Sequence, residues 1–174
     1  MAKTVIKFSL DPKDIDRAIR EVNSVKKKFL DKVDIYRKRI TDEIAIQASL
    51  NFESSVVDDT VKNGTRKPDV TVNVDERGSI SVVVANGEDA VWCEFGAGVY
   101  HNGSAGSSPN PYGGKLGLTI GSYGKGFGKQ QAWGYYGDNG ELIITRGTPA
   151  SMPMHNAVQV VTTKAITIAR EVFG

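Results

Sequence analysis

The chain has 174 residues, with 22 Lys and Arg against 20 Asp and Glu, so its net charge of +2 lacks the clear basic excess typical of nucleic-acid-binding domains. Its 40% apolar and 24% charged content excludes a fully disordered chain, and its length predicts a single domain, 1–174. One cysteine and two histidines exclude an intramolecular disulfide framework and a cysteine-only zinc site, and they leave few ligands for a metal centre.

The first predicted element is a short strand. Apolar and polar side chains alternate over residues 6–10, which is the period of a half-buried strand. Asp11 and Pro12 then have the residue types of a helix N-cap and of the first helical position. The sequence therefore predicts a strand that leads directly into a helix.

The helix that follows is predicted to be unusually long, over residues 12–57, with a kink near 45–52 where the apolar phase drifts. Its apolar residues recur at steps of three or four: Ile15, Ile19, Val22, Val25, Phe29, Val33, Tyr36, Ile40 and Ile44. About 40 helical residues span about 60 Å, whereas a compact domain of this size is roughly 40 Å across. An unbroken helix would project past the body and expose its apolar stripe to another chain; the alternative is a break that folds the helix back as a hairpin.

Two further elements are predicted before the middle of the chain. Residues 70–76 and 79–85 alternate with period 2 on either side of Arg77-Gly78, which predicts a β-hairpin. Residues 88–95 (EDAVWCEF) are apolar on one side, and we favour one or two helical turns ended by Gly96 over a strand.

The stretch from Gly96 to Gly140 holds 14 of the 19 glycines and seven of the 14 aromatic residues. A disordered linker is poor in aromatic residues, so residues 97–136 are interpreted as an extended insertion or loop that orders against the domain or a neighbour. The turn signal at 138–140 predicts a second hairpin, and Pro153 leads into a last helix over 153–172. The predicted fold class is α+β: a small, mainly antiparallel sheet packed by a long N-terminal helix and a C-terminal helix, with a long Gly/aromatic-rich insertion.

Candidate catalytic and binding motifs are weak. The glycine-rich run Gly121–Lys129 lacks the spacing of a phosphate-binding loop and is not followed by a good helix start. Cys93, His101 and His155 lack the spacing of a metal site or a nucleophilic pair. The basic side of the long helix is interspersed with acidic residues, so a solvated face is favoured over DNA contact. We therefore expect no catalytic residue, no metal and no cofactor.

Targeting signals give a simple expectation. The first 14 residues contain a charge every few positions, unlike the apolar region of a signal peptide, and no run of about 18 apolar residues is present. We expect a protein made and used in a cytoplasm, with no membrane partner.

Two segments resemble one known family. Ala90-Val-Trp-Cys-Glu-Phe-Gly-Ala-Gly98 resembles the Glu-Phe-Gly-Thr-Gly signature of the neck, or tail-completion, proteins of long-tailed bacteriophages. Thr148-Pro-Ala-Ser-Met-Pro-Met-His-Asn-Ala157 resembles the proline-rich stretch before the last helix of the same family. Ala97 stands where that family usually has threonine, and Met154 where phenylalanine is common.

The resemblance implies a non-enzymatic virion protein that joins the capsid connector to the tail. Such a subunit would form a ring with its own copies, contact other neck, connector and tail proteins, and let DNA pass through the channel without reading its sequence. It would be found in the virion, and in the host cytoplasm during assembly. Because aromatic residues dominate interface anchors, nine of them are interface candidates, and Glu94 is added as a possible subunit contact: Phe29, Tyr36, Trp92, Glu94, Tyr112, Tyr123, Phe127, Trp133, Tyr135 and Tyr136.

Within the Glu-Phe-Gly element, Phe95 is interpreted as core packing and Gly96 as a helix stop or a close-approach position. Glu94 is a candidate for a buried hydrogen bond or a subunit contact. A rival hypothesis is a small nucleic-acid-binding or toxin-like enzyme that uses His101 or His155. A third is an adaptor that binds its partner through the long helix alone.

Overall fold

The computed structural model describes most of the two helical ends of the chain and parts of its middle: residues 5–59, 64–96, 110–113, 115–116, 133–137, 139–145 and 147–174. Most of the predicted insertion 97–136 lies outside these residues, as do His101, Tyr123 and Phe127.

The described residues form an α+β fold, which confirms the predicted class. In chain order the elements are α1 (Pro12–Ser54), β1 (Val57–Asp59), β2 (Gly64–Arg66), β3 (Thr71–Arg77), β4 (Ile80–Asn86), α2 (Ala90–Phe95), β5 (Trp133–Tyr136), β6 (Leu142–Thr145) and α3 (Pro153–Phe173). Among the described residues the strands pair as three separate antiparallel hairpins, β1–β2, β3–β4 and β5–β6, where the sequence had predicted one small sheet.

Helix α1 is a single helix of 43 residues, about 65 Å long, with no interruption at residues 45–52. Pro12 occupies the first turn, and the Ser55 N–H donates to the carbonyl oxygens of Asn51 and Phe52 where the helix ends. The predicted strand at residues 6–10 is wrong, because residues 5–9 precede the helix without pairing with a strand of the described chain. A strand pattern forms a strand only where a neighbour offers a backbone edge.

Helix α3 packs antiparallel to the C-terminal half of α1. The ring of Phe173, at the end of α3, lies 5.8 Å from the ring of Phe29 and 5.9 Å from that of Tyr36. At the start of α3, the Pro153 carbonyl accepts a hydrogen bond of 2.9 Å from the Asn51 side chain. Residues 12–28 of α1 therefore extend about 25 Å beyond the end of α3. We call this segment, 12–28, the stem.

The hairpin β3–β4 packs across the same helix near its middle. Arg37 of α1 forms an ion pair of 2.8 Å with Glu76 on β3 and donates a hydrogen bond to the Ser81 hydroxyl on β4. The strands are joined by the two-residue turn Gly78-Ser79, because Arg77 pairs with Ile80; the sequence had placed the turn one residue earlier. Gly78 has a φ of 61°, which favours glycine.

The buried core lies at the C-terminal end of α1, far from the stem. Phe52, Val57 and Cys93 form its centre. The partly buried side chains packed against them come from the residue before β3, from β3, from β4 and from α3: Val70, Val72, Ala85 and Met154. This core joins the two helical ends of the chain through α2.

Candidate functional site

The six-residue helix α2 brings Glu94 to the start of α3. The helix ends where the Gly96 N–H donates to the Trp92 carbonyl oxygen over 2.8 Å, with Gly96 at φ 81° and ψ 162°. That backbone conformation is open to glycine and strained for other residues. Gly96 therefore stops α2 in one fixed place and leaves Glu94 buried.

The Glu94 carboxylate accepts three described hydrogen bonds. Its Oε2 accepts from the Met154 N–H at 2.8 Å, and its Oε1 accepts from the His155 N–H at 3.0 Å and from the Asn110 side-chain amide at 2.7 Å. Asn110 in turn accepts a hydrogen bond from the Tyr112 N–H at 2.9 Å. One buried carboxylate thus joins α2, the 110–113 turn and the first turn of α3.

Glu94 acts as the N-terminal cap of α3 from another helix. The residue at the cap position, Met152, makes no side-chain cap hydrogen bond and has a left-handed backbone (φ 53°, ψ 49°). The first N–H groups of a helix have no partner within it, and a carboxylate there also interacts favourably with the helix dipole. Glu94 supplies both interactions to the second and third residues of α3.

Backbone and hydroxyl contacts reinforce this junction. The Cys93 carbonyl oxygen accepts hydrogen bonds from the N–H groups of Ser151 at 2.9 Å and Met152 at 3.1 Å. The hydroxyl groups of Ser55 and Ser151 are 2.7 Å apart, which ties the end of α1 to the entry of α3. Residues 93–94 of α2 and residues 151–155 at the start of α3 therefore contact each other here.

An ion pair between the buried Asp89 and the exposed Arg66 holds the other side of α2. Asp89 accepts hydrogen bonds from both terminal nitrogens of Arg66, at 2.7 and 3.0 Å, and from the Asp69 N–H at 2.7 Å. Asp89 is 5% exposed, and the paired arginine fork satisfies its charge. The pair fixes the start of α2 against the strand that precedes β3.

The junction also contains one thiol, that of Cys93, and one imidazole, that of His155. Burial raises the pKa of the Cys93 thiol to about 11, with a smaller contribution from the charge of Asp89, so its thiolate is scarce at neutral pH. The His155 ring stacks edge-on near Tyr112, with 6.3 Å between the ring centroids. Within the described ranges, His, Cys, Asp and Glu side chains form no group of three or more that could hold a metal ion.

The stem carries a row of exposed apolar side chains along one side of α1. Ile15, Ile19, Val22 and Val25 are between 36% and 53% exposed, and Phe29 continues their row at 49%. Monomeric proteins seldom leave a contiguous apolar stripe of this length in water. We call this row the stem stripe.

The other predicted interface residues fall into three groups. Tyr36 is half-buried and donates a hydrogen bond of 3.4 Å to the Ala165 carbonyl, and Glu94 is buried as described. Exposed aromatic side chains are Trp92 (40%), Tyr112 (56%) and Tyr136 (75%). The backbones of Trp133 and Tyr135 lie in β5.

Sequence reasoning missed several residues of the junction. Asn110 lies among many Asn, Gly and Ser residues, and nothing in that composition marks it as the partner of Glu94. Arg66 and Ser151 are equally unmarked, because each contacts a residue that is 23 or more positions away along the chain.

Comparisons add no relative. No family model, no curated protein and no solved structure matches the chain. No helix in the described part of the chain is long and apolar enough to cross a membrane.

Proposed function

We propose that this chain is a structural subunit of a tailed-bacteriophage neck, which joins the capsid connector to the tail by assembling into a ring. The observation that carries the proposal is the stem, a helical extension of about 25 Å whose apolar side chains are left exposed. A surface of this kind is typical of a subunit that is completed by neighbouring copies.

The junction at Glu94 supports the same proposal. The two segments with family resemblance are distant in sequence, and Glu94 hydrogen-bonds from one of them to the backbone of the other. A residue pattern that resembles a family is more informative when its parts form one structural unit. In this proposal the junction holds the body rigid while the stem contacts neighbours.

The ring needs a second surface that is different from the stem stripe, because head-to-tail contacts join two unlike patches. We assign that role to the Gly/aromatic-rich insertion 97–136 together with α2. Tyr112 of the insertion and Trp92 of α2 are exposed and would serve as anchors. Aromatic side chains supply large contact areas at low entropic cost, so they suit this role.

The proposal is tested by assembly of the phage that encodes the chain. Removing the gene is expected to leave DNA-filled capsids and separate tails, counted by electron microscopy, because the joining piece is missing. Supplying the wild-type protein should restore joined particles. The double variant Ile19→Asp/Val22→Asp should fail to restore them, since it places charge on the stem stripe at side chains that are already exposed.

Two controls sharpen this test. Ile166→Asp changes an equally large side chain that is 66% exposed on α3, outside the stem, and should restore joining. The double variant His101→Ala/His155→Ala should also restore it, because the proposal gives neither histidine a chemical role. Joined virions in the absence of the gene, or failure of the histidine variant although it folds, would contradict the proposed function.

A further inference from the structure

The N-terminal residues Val5–Leu10, which we call the arm, have a strand pattern but no strand partner among the described residues. Val5, Phe8 and Leu10 are 64%, 57% and 89% exposed. If the arm were extended, Ile6, Phe8 and Leu10 would share one face and Lys7 would lie on the other. At the root of the arm, the Ser9 hydroxyl donates to Asp14 over 2.7 Å, which fixes it to the first turn of α1.

The opposite end of α1 carries a groove of about 460 Å³ beside β3. The groove is lined by apolar and charged side chains of the helix end (Phe52 and Glu53), of the segment between β2 and β3 (Lys67, Pro68 and Val70) and of β3 (Val72). An extended peptide with alternating apolar side chains fits such a lining, because every second side chain can enter the groove.

One edge of β3, beside this groove, has no strand partner in the part of the chain that the structure describes. In the described chain β3 pairs only with β4, and Arg37 of α1 contacts both strands, so the helix lies across the face of the hairpin. The pairing of Arg77 with Ile80 closes a two-residue turn and directs the backbone groups of residues 73, 75 and 77 toward β4. The backbone groups of Val72 and Val74 then point away from β4, where a further strand could bind them.

The arm cannot reach the groove of its own chain. From Pro12 to Ser49 the helix rises about 55 Å, whereas the seven residues from Val5 to Asp11 span at most about 25 Å when fully extended. Any arm in this groove must therefore come from another molecule.

We propose that the arm of one copy adds as a strand to the free edge of β3 in a second copy, with Phe8 and Leu10 entering the groove beside Phe52. Lys7 would then lie on the face of the added strand that is turned away from the groove, because it alternates with Phe8 and Leu10. The donor and acceptor lie at opposite ends of α1, so the contact is head-to-tail and repeats into a ring or a filament. This inference deepens the proposed function and rests on it only for the association of copies.

Site-directed cross-linking locates the contact. Val5→Cys protein is mixed with Asn73→Cys protein and treated with a short bis-maleimide, which tolerates a small shift in strand register. The buried Cys93, with its raised pKa, should not react. A covalent dimer is expected from the mixture, and only background from Val5→Cys mixed with Thr163→Cys, an exposed position on α3. Equal yields from the two mixtures, or no dimer from either, would overturn the proposal.

A variant of the arm tests the side chains themselves. Phe8→Asp/Leu10→Asp changes exposed residues, so the fold should be kept, as circular dichroism would verify. Each lost apolar anchor is worth about tenfold in affinity, so association should weaken roughly 100-fold by sedimentation. Ile166→Asp is the matched control and should associate as wild type. Unchanged association or an unchanged Asn73 cross-link in the arm variant contradicts the arm as donor.

The two proposals can fail separately. If the cross-link forms but deletion of the gene leaves tails joined, the arm contact stands and the neck function falls. If the gene is required for joining but Val5 and Asn73 never cross-link, the neck function stands and the arm contact is wrong.

Discussion

At the residue scale, Glu94 is the side chain on which most of the described junction depends. Its carboxylate is 9% exposed and accepts hydrogen bonds from two backbone N–H groups and one amide. Hydrogen bonds to an ionised acceptor are stronger than those between neutral groups, and leaving a buried donor without a partner costs free energy. The start of α3 should therefore lose stability if this side chain loses its charge.

We predict that Glu94→Gln lowers the free energy of unfolding by about 2 kcal/mol, the scale of a charged hydrogen bond. The glutamine amide keeps the length of the side chain, but its NH₂ group must face a donor, because all three described partners donate. Urea unfolding monitored by circular dichroism measures the change.

Glu88→Gln is the matched control for this variant. Glu88 has the same chemistry, lies two residues before α2 and is exposed, so the change should stay within about 0.5 kcal/mol. A Glu94→Gln protein as stable as the Glu88→Gln protein would show that the cap contributes little.

At the element scale, a charged network holds the hairpin β3–β4 to the middle of α1. The Ser81 hydroxyl, and after it the Arg37 guanidinium, hold the pKa of Glu76 below its ordinary value of 4.5. Arg37 also lowers the pKa of Asp34 through a hydrogen bond. A carboxyl group with a depressed pKa in the folded state stabilises the fold above its unfolded pKa, and this contribution is lost as the pH falls through the folded value.

We predict that Glu76→Gln is less stable than wild type at pH 7, and that the difference shrinks as the pH falls below 4.5. Below that range the wild-type carboxyl is protonated too, so both proteins lack the charge. Urea unfolding at a series of pH values measures the difference. Ser81→Ala should show a smaller loss over the same range, since Arg37 still pairs with Glu76. A difference between Glu76→Gln and wild type that is equal at all pH values would contradict this account.

Several of these helices and strands could be predicted from the sequence alone. Elements with a long or regular pattern were found: α1 from its apolar stripe, β3 and β4 from period-2 alternation, and α3 from Pro153 and its repeat. The two turns of α2 followed from apolar residues that end at Gly96. These patterns are local, so they survive without knowledge of the fold.

The predictions that failed share one physical cause. The residues of an element do not specify which other elements pack beside it. Residues 6–10 alternate like a strand, yet they pair with no strand in the described part of the chain. The capping role of Glu94 also needed a partner 60 positions away. The sequence marked Glu94 as a candidate for a buried hydrogen bond, but the donors became visible only in three dimensions.

At the scale of the whole molecule, stability and association occupy different parts of α1. The core around Phe52, Val57 and Cys93 lies at the C-terminal end of the helix. In the stem, Ala18 is the single buried residue. The stem should therefore add little to the stability of the body, whereas the seam between α1 and α3 should add much.

Two truncations of the chain separate these contributions. We predict that removing residues 1–27 changes the free energy of unfolding by less than about 1 kcal/mol while abolishing association, because exposed side chains contribute little to folding. Ending the chain after Thr167 removes only seven residues, but these include the buried Ile168 and the Phe173 ring. Loss of these two packed side chains should cost about 3 kcal/mol or more.

Urea unfolding and sedimentation of both truncated proteins give the comparison. The N-terminal deletion removes more residues, yet it should destabilise the fold less than the C-terminal deletion does. It should also weaken association more than the C-terminal deletion does. If removal of residues 1–27 instead unfolds the body, the stem belongs to the fold of the single chain. The exposed stem stripe would then no longer be evidence for a surface that binds other copies.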